Sequence, residues 1–306
     1  MGTYLSITLD GLPEPEARTL MRRCFAEAQR LESIFSRFDP ASELSRINAG
    51  GGARTLEVST DMVDLLRRGL ALHRATGGTF DVTIGALTRL WREAEHWPSA
   101  ADLRRAGAGA AGERARVIDE GHIALAPAVL LDFDGFAKGY AVDRCVTLLR
   151  GGGATAALIS LGESSQYALG APAGENGWPV TLRDLDADRA IGTLRLRDQA
   201  ISVSSVFGHE HTIGGRHVGH IVDPRSGRPL TEPAMAVVVA PSATDAEAFS
   251  KAFLIAPEPG PVMVGAGDAL SGAMIVGPGG VRQVGEMAFT PFPAAAPIAA
   301  EAEPLR

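Results

Sequence analysis

Residues 155–205 read TAALISLGESSQYALGAPAGENGWPVTLRDLDADRAIGTLRLRDQAISVSS. Short β-prone segments alternate here with turns rich in Gly, Asp and Pro, and the spacing predicts strands over 155–161, 165–170, 177–183, 190–196 and 200–205. The gaps between them are too short for crossover helices, so neighbouring strands must run antiparallel. Downstream, strands are expected over 209–213, 217–222 and 234–240, a helix from Thr244 to Ile255, and strands near 261–264 and 273–276.

Upstream the period changes. An opening strand is expected over 3–9, then a helix from Pro13 to Ile34 with Ala17, Leu20, Met21, Cys24, Phe25, Ala28 and Leu31 on one stripe. Residues 35–49 read as a polar loop and 50–53 as a Gly-rich turn. Ser59-Thr60-Asp61 offers caps for a helix burying Met62, Leu65, Leu66 and Leu70, ended by Gly77-Gly78. Residues 98–115 suit a short helix and loop, 116–119, 122–125 and 128–132 suit strands, and a helix runs from Ala137 to Arg150. Helices interspersed with clustered hairpins indicate an α+β fold, mostly antiparallel sheet with packed helices. No linker divides the chain, so one domain is expected over 1–289, followed by a disordered Pro/Ala-rich tail over 290–306.

The 306 residues are 45% hydrophobic and 21% charged, enough for a large core without staples. Acidic residues number 36 and basic ones 29, a net charge of −7, and no Lys/Arg run offers a face for nucleic acid. Cys24 and Cys145 fall on apolar helix faces, which suits small buried hydrophobes better than a disulfide framework or zinc site. Apolar runs stay under ten residues, as in Ala234–Pro241, whereas a spanning helix needs about 20. The N-terminus lacks the basic and apolar regions of a signal peptide, so the chain as given reads as cytoplasmic; a periplasmic protein with its leader removed would look the same.

Four segments carry candidate chemistry. In Asp132–Tyr140 (DFDGFAKGY) an apolar run enters a Gly-containing turn and a helix. Amides at a helix start attract phosphate, Asp132 and Asp134 can hold a hydroxyl, an amine or a metal, and Lys138 can meet a phosphate. An ordinary turn capped by Asp134 fits the same residues. In His220–Pro229 a strand bearing His220 ends in a rigid Asp223-Pro224 turn. His220 is suited to proton transfer with Asp223 orienting it, and is equally readable as structural. His209, His211, His217 and His220 form a third group, in which His217 would face His211 across the Gly214-Gly215 hairpin and a zinc or iron site is one reading. Thr79–Trp91 is apolar with one embedded acid, Asp81, and faces either a planar ligand or the core.

In this order the segments resemble the FAD:protein FMN transferases, the ApbE-type flavin transferases. The resemblance is carried by Met1-Gly2-Thr3, Ser42–Asn48, Gly78–Trp91, Gly135–Asp143 and Gly219–Pro229, and covers most of the chain. It implies a T-fold-like α+β architecture. The implied activity is cleavage of FAD, release of AMP, and linkage of FMN through a phosphoester to a Thr or Ser of a target flavoprotein, with magnesium assisting. Residue by residue it implies a flavin site at Met1, Thr79, Phe80, Asp81, Asp132, Lys138 and Val222. It also implies that His220 activates the acceptor hydroxyl, and that Gly135 and the position of Glu247 hold the metal.

The chain departs from the family at that metal position. A stretch resembling Ala-Asp-Ala-x-[Ser/Asp]-Thr is here Ala246-Glu247-Ala248-Phe249-Ser250-Lys251. Gly-Gly-Asp after the signature helix has become Gly162-Glu163-Ser164, and the first Gly of Asp-x-Gly-Gly is Asp134. Three readings of Lys251 are open: it replaces the cation and steadies the pyrophosphate, transfer has been lost and only FAD or nucleotide binding remains, or the side chain points to solvent. Active transferase, degenerate binding protein and histidine-based metallohydrolase are the competing functions.

Overall fold

The structure is a computed structural model and describes residues 3–50, 53–185, 189–208, 211–257, 269–277 and 280–293. Strand β1 (Leu5–Asp10) leads to helices α1 (Glu14–Phe35) and α2 (Glu43–Ala49), strand β2 (Arg54–Glu57) and helix α3 (Thr60–Ala75). Helices α4 (Gly85–Glu93) and α5 (Ala100–Gly107), strands β3 (Ala115–Val117) and β4 (His122–Leu125) and helix α6 (Ala137–Gly151) follow. Then come β5 (Ala156–Leu161), β6 (Ser165–Leu169), β7 (Trp178–Arg183), β8 (Ala190–Leu196), β9 (Gln199–Ser205), β10 (His211–Ile213), β11 (Arg216–Val218), β12 (Val222–Asp223), β13 (Arg228–Pro229) and β14 (Met235–Ala240). Helix α7 (Ala243–Ile255) and strands β15 (Gly272–Gly277), β16 (Gly280–Gly285) and β17 (Phe289–Pro291) complete the described chain.

The frame is a seven-stranded sheet in the order β1-β5-β6-β9-β14-β15-β16, with every pairing antiparallel. The α+β expectation from hairpin spacing is met. Helices α1, α6 and α7 lie on one face, and the three-stranded sheet β17-β8-β7 covers the other. Strand β14, MAVVVA, is buried along its whole length because both its faces are covered. Ala236, Val238 and Ala240 join the helix-side core, while Met235, Val237 and Val239 pack with Trp178, Val180 and Leu194. Phe249 and Phe253 of α7 are fully buried on the helix side, each such ring contributing about 1.5–3 kcal/mol. Cys24 and Cys145 are free and buried where α1 meets α6.

Several expectations need correction. The loop expected over 35–49 contains α2, because Ser42 caps it by accepting from the Ser45 amide. Residues 128–132 form no ladder; one parallel bridge joins Leu130 to Ile84, and the Leu131 amide and carbonyl are taken by the Asn48 side chain. The Thr79–Trp91 segment, to which the spacing assigns no element, is helical from Gly85 on, as α4. Edge strand β16 was missed because its side chains are mostly exposed and lack an apolar alternation. Thr290 and Pro291 belong to β17, paired with β8, so ordered structure runs past 289; Phe289 lies where Gly192 leaves no side chain in the way. The strand expected at 261–264 and residues 294–306 lie outside the described residues.

Candidate active site

Residues 80–85 and 130–132 are fastened side by side. The Asp132 amide donates to the Val82 carbonyl at 2.8 Å and the Gly85 amide to the Leu130 carbonyl at 3.0 Å. A Cβ on Gly85 would sit 2.7 Å from that carbonyl oxygen, so the approach requires glycine. Asn48 clamps the far side: its amide donates to the Leu131 carbonyl and accepts from the Leu131 N–H, both at 2.8 Å. The turn that follows is therefore held from two directions before α6 begins.

That turn carries two acids. Asp132 accepts from the Thr88 hydroxyl at 2.6 Å and from the Asp134 amide at 2.9 Å. Asp134 pairs with the Arg37 guanidinium. Desolvation and the Asp132 charge push Asp134 up to about 6 against the pull of Arg37 and Arg92. Its side chain keeps 43% exposure, so water screens part of that push. The Phe80 ring lies against Gly135, where a Cβ would be 3.2 Å from Cε2, and meets Phe136 edge-to-face at 5.1 Å. Asp81, beside it, is buried and satisfied: Thr83 donates from N and Oγ1 at 2.7 and 2.6 Å, and His73 Nδ1 lies 3.3 Å away. Burial alone would raise the Asp81 carboxyl, but His73 and Thr83 outweigh it and hold it below its ordinary value. The Asp81 hydrogen bond raises His73 in turn. Thr79 is also turned inward, its hydroxyl donating to the Thr76 carbonyl at 2.9 Å.

Helix α6 starts without a side-chain cap. Its second residue, Lys138, donates to the Ser164 hydroxyl at 2.6 Å and lies 3.7 Å from Glu247 Oε1. Gly139 lets α6 touch the start of α7: a Cβ there would lie 2.3 Å from the Ala243 carbonyl oxygen. Across this contact the Gly139 amide donates to Glu247 Oε2 at 2.8 Å. Asp143, one turn on, caps α7, accepting from the Ala243 and Thr244 amides at 2.8 and 2.9 Å and from the Ser242 and Thr244 hydroxyls at 2.8 and 2.6 Å. Lys251 keeps intermediate exposure, and enclosure by protein atoms pushes its amine down to about 8, Glu247 opposing and Lys138 adding to the push.

Helix α4 joins this turn to the His220 region. Thr88 on α4 holds Asp132, while Trp91 donates its Nε1–H to the Gly227 carbonyl at 2.7 Å, inside the turn that follows Asp223. Leu87 and Trp91 pack with Val222, Val218 and Ile213 in one cluster. His220 is exposed and lies in a bend between β11 and β12, not on the continuous strand expected over 217–222; the bend is fixed by the Gly219 amide donating to the Leu230 carbonyl and the Leu230 amide donating to the Ile221 carbonyl. Asp223 is turned to Arg225 and its own loop. The register of β10 and β11 pairs Thr212 with His217 and His211 with Val218, so the expected facing of His217 and His211 does not occur. Gly214 and Gly215, both at positive φ, set that register. Met1 and His209 lie outside the described residues.

A divalent ion held by Gly135 and Glu247 does not fit this donor set. Magnesium takes about six oxygens, waters and substrate phosphates among them, but needs at least one protein carboxylate free of a competing cation. Glu247 offers one uncommitted oxygen, and that oxygen faces the Lys138 ammonium. Asp245 on the same helix is engaged by the Arg68 guanidinium. Among the described residues no three His, Cys, Asp or Glu side chains converge on a point. Sequence reasoning missed Arg37, His73, Asn48, Asp143 and Ser164, whose partners are 97, 8, 83, 100 and 26 residues or so away or hidden in a local fold. The one available signal was that adjacent acids at 132 and 134 demand a neighbouring cation.

Helix layer, seven-stranded sheet and covering sheet together define the flavin-transferase fold: the apo flavinyl transferase ApbE of Pseudomonas stutzeri superposes with a TM-score of 0.79 over 95% of this chain and 92% of its own, at 24% identity. The ApbE protein of Thermotoga maritima does so at 0.81, over 92% and 96%, at 22% identity. The ApbE family profile matches residues 1–268, and the chain belongs to that family. Among curated relatives, a FAD:protein FMN transferase of Klebsiella pneumoniae is 26% identical over 267 residues, 83% of this chain and 76% of its own length. A second from that organism is 30% identical over 219 residues, 69% and 67% of the two chains. None of the described helices is long and apolar enough to cross a membrane.

Proposed function

We propose that this chain is a FAD:protein FMN transferase, which cleaves FAD, releases AMP and joins FMN through a phosphoester to a Thr or Ser hydroxyl of a target protein. The observation that carries the reading is the shared pillar. One short helix, α4, ties the Asp132–Lys138 turn on one side to the loop after His220 on the other. Family membership over residues 1–268 supports it, as do the names of the curated relatives.

In this reading the flavin and its phosphates lie along Asp132 and Lys138, beside the segments that the buried Phe80 and Val222 anchor in the core. Thr79 and Asp81 serve by shaping the loop that carries Phe80, since their polar atoms bind within the protein. The uncapped start of α6 and Lys138 oppose the charge that builds as the pyrophosphate opens. His220, exposed between Val218 and Val222, which pack with Leu87 and Trp91 of α4, takes the proton of the acceptor hydroxyl.

The test is incubation with FAD and a panel of flavin-accepting proteins, following in-gel flavin fluorescence. A fluorescent acceptor band is expected, lost in His220→Ala while FAD binding persists. FAD bound tightly by the wild type with neither AMP nor a fluorescent band would instead identify a binding protein that has lost transfer.

A further inference from the structure

Glu247 has no exposed surface and sits where α6 crosses α7. Its Oε2 is occupied by the Gly139 amide at 2.8 Å. Its Oε1 accepts no hydrogen bond among the described residues and lies 3.7 Å from the Lys138 ammonium. Lys251 stands four residues further along α7, on the same helical face. The charges of Glu247 and Lys138 both act on its amine. One buried carboxylate thus has the Lys138 ammonium 3.7 Å away and a second lysine one helical turn along α7. The remaining partner of Lys138 is neutral, the Ser164 hydroxyl.

Such a cluster carries one surplus positive charge, and with Glu247 buried and both lysines partly exposed, that surplus lies on the solvent side, where an entering ligand can meet it. An anion completes it. A divalent cation would worsen it, since it would add two charges where the Lys138 ammonium already faces the uncommitted oxygen of Glu247.

We propose that Lys138 and Lys251, held by Glu247, supply the positive charge on the FAD pyrophosphate that a divalent ion would otherwise bring, so that FMN transfer by this chain runs without a bound metal. The inference rests on the FMN-transfer reading. In the step, the acceptor hydroxyl oxygen bonds to the FMN phosphorus. The bond from that phosphorus to the bridging oxygen breaks, and its electron pair leaves on AMP. The hydroxyl proton passes to His220. The two ammonium groups oppose the negative charge gathering on the pyrophosphate oxygens.

The test uses the whole chain with FAD and an acceptor, in EDTA or in magnesium, reading AMP release by chromatography and FAD affinity by flavin fluorescence quenching. AMP release and FAD affinity are expected to agree within about twofold between EDTA and magnesium, and Lys251→Met is expected to cut AMP release about tenfold or more. Lys251→Met should also weaken FAD more than riboflavin, which lacks phosphate, and Lys251→Arg should retain most of the wild-type behaviour. The double change Glu247→Asp with Lys251→Thr should make AMP release magnesium-stimulated. Loss of wild-type cleavage in EDTA with recovery in magnesium overturns the proposal, as does Lys251→Met cleaving at the wild-type rate. If the wild type releases no AMP in either condition, the transfer reading fails, and affinity still decides this one. Magnesium-insensitive FAD binding weakened in Lys251→Met upholds the lysine site, and equal affinities overturn it.

Discussion

Replacing Asp143 by Ala removes a carboxylate that closes the N-terminus of α7. Four hydrogen bonds go with it: two from the Ala243 and Thr244 amides and two from the Ser242 and Thr244 hydroxyls. The hydroxyls can turn to water, so the amides set the magnitude. Losing a helix cap costs about 0.5–2 kcal/mol, and a hydrogen bond to a charged group about 1.5–3 kcal/mol. Asp143 is partly open, which allows water to replace some of this, so the expected loss is about 2–4 kcal/mol. For a chain of this size that is a fall in Tm of roughly 4–8 °C. Asp143→Asn keeps one accepting oxygen and should lose about half as much. Urea unfolding followed by far-ultraviolet circular dichroism measures both, and hydrogen exchange locates the damage in the first turn of α7. An Asp143→Ala protein within about 0.5 kcal/mol of wild type, inside ordinary surface-mutation scatter, would refute the capping argument.

Gly139→Ala should cost about 3 kcal/mol or more, because its Cβ would lie 2.3 Å from the Ala243 carbonyl oxygen and backbone atoms cannot step aside; differential scanning calorimetry of the purified variant checks this. Glu163 holds φ +59°, a left-handed conformation, on an exposed turn. Relief of about 1–2 kcal/mol of strain against about 0.5–1 kcal/mol of added chain entropy makes Glu163→Gly stabilising by roughly 0.5 kcal/mol, readable as a higher urea midpoint. The His73–Asp81 pair gives a pH signature. His73 is raised from 6.5, so its contribution is full below that value and is lost as pH rises through the raised one. Asp81 is lowered from 3.8, so its contribution holds above that value and is lost as pH falls through the lowered one. Wild type should therefore lose more stability than His73→Gln between about pH 5.5 and 8.5, and parallel losses would contradict the pairing.

Much of this architecture was legible because hairpin spacing is local. Strands β5 to β9 fall within one or two residues of their expected positions, and Ser59 starts its helix as an N-cap residue should. What escaped depends on contacts distant in sequence. The run at 128–132 looks like a strand, but Asn48, more than eighty residues earlier, takes its central peptide group. Helix α4 hides in an apolar run whose ends are set by Gly85 meeting Leu130 and Trp91 meeting Gly227. Within the candidate site the order of the motifs pointed to Phe80, Asp132, Lys138 and His220, yet only the packed chain reveals that Glu247 of α7 bonds the Gly139 amide and lies 3.7 Å from Lys138 of α6. Asp81 illustrates the converse: an embedded acid that reads as ligand-facing proves to be spent on His73 and Thr83.

The most direct measurement is intact mass spectrometry of an acceptor protein after incubation with this chain and FAD, with AMP quantified in the same tube. A mass gain of one FMN less water, matched by one AMP per modified acceptor and abolished when the acceptor Thr or Ser becomes Ala, is the expected result. FAD consumed without an acceptor adduct, or an adduct formed without AMP, would contradict it.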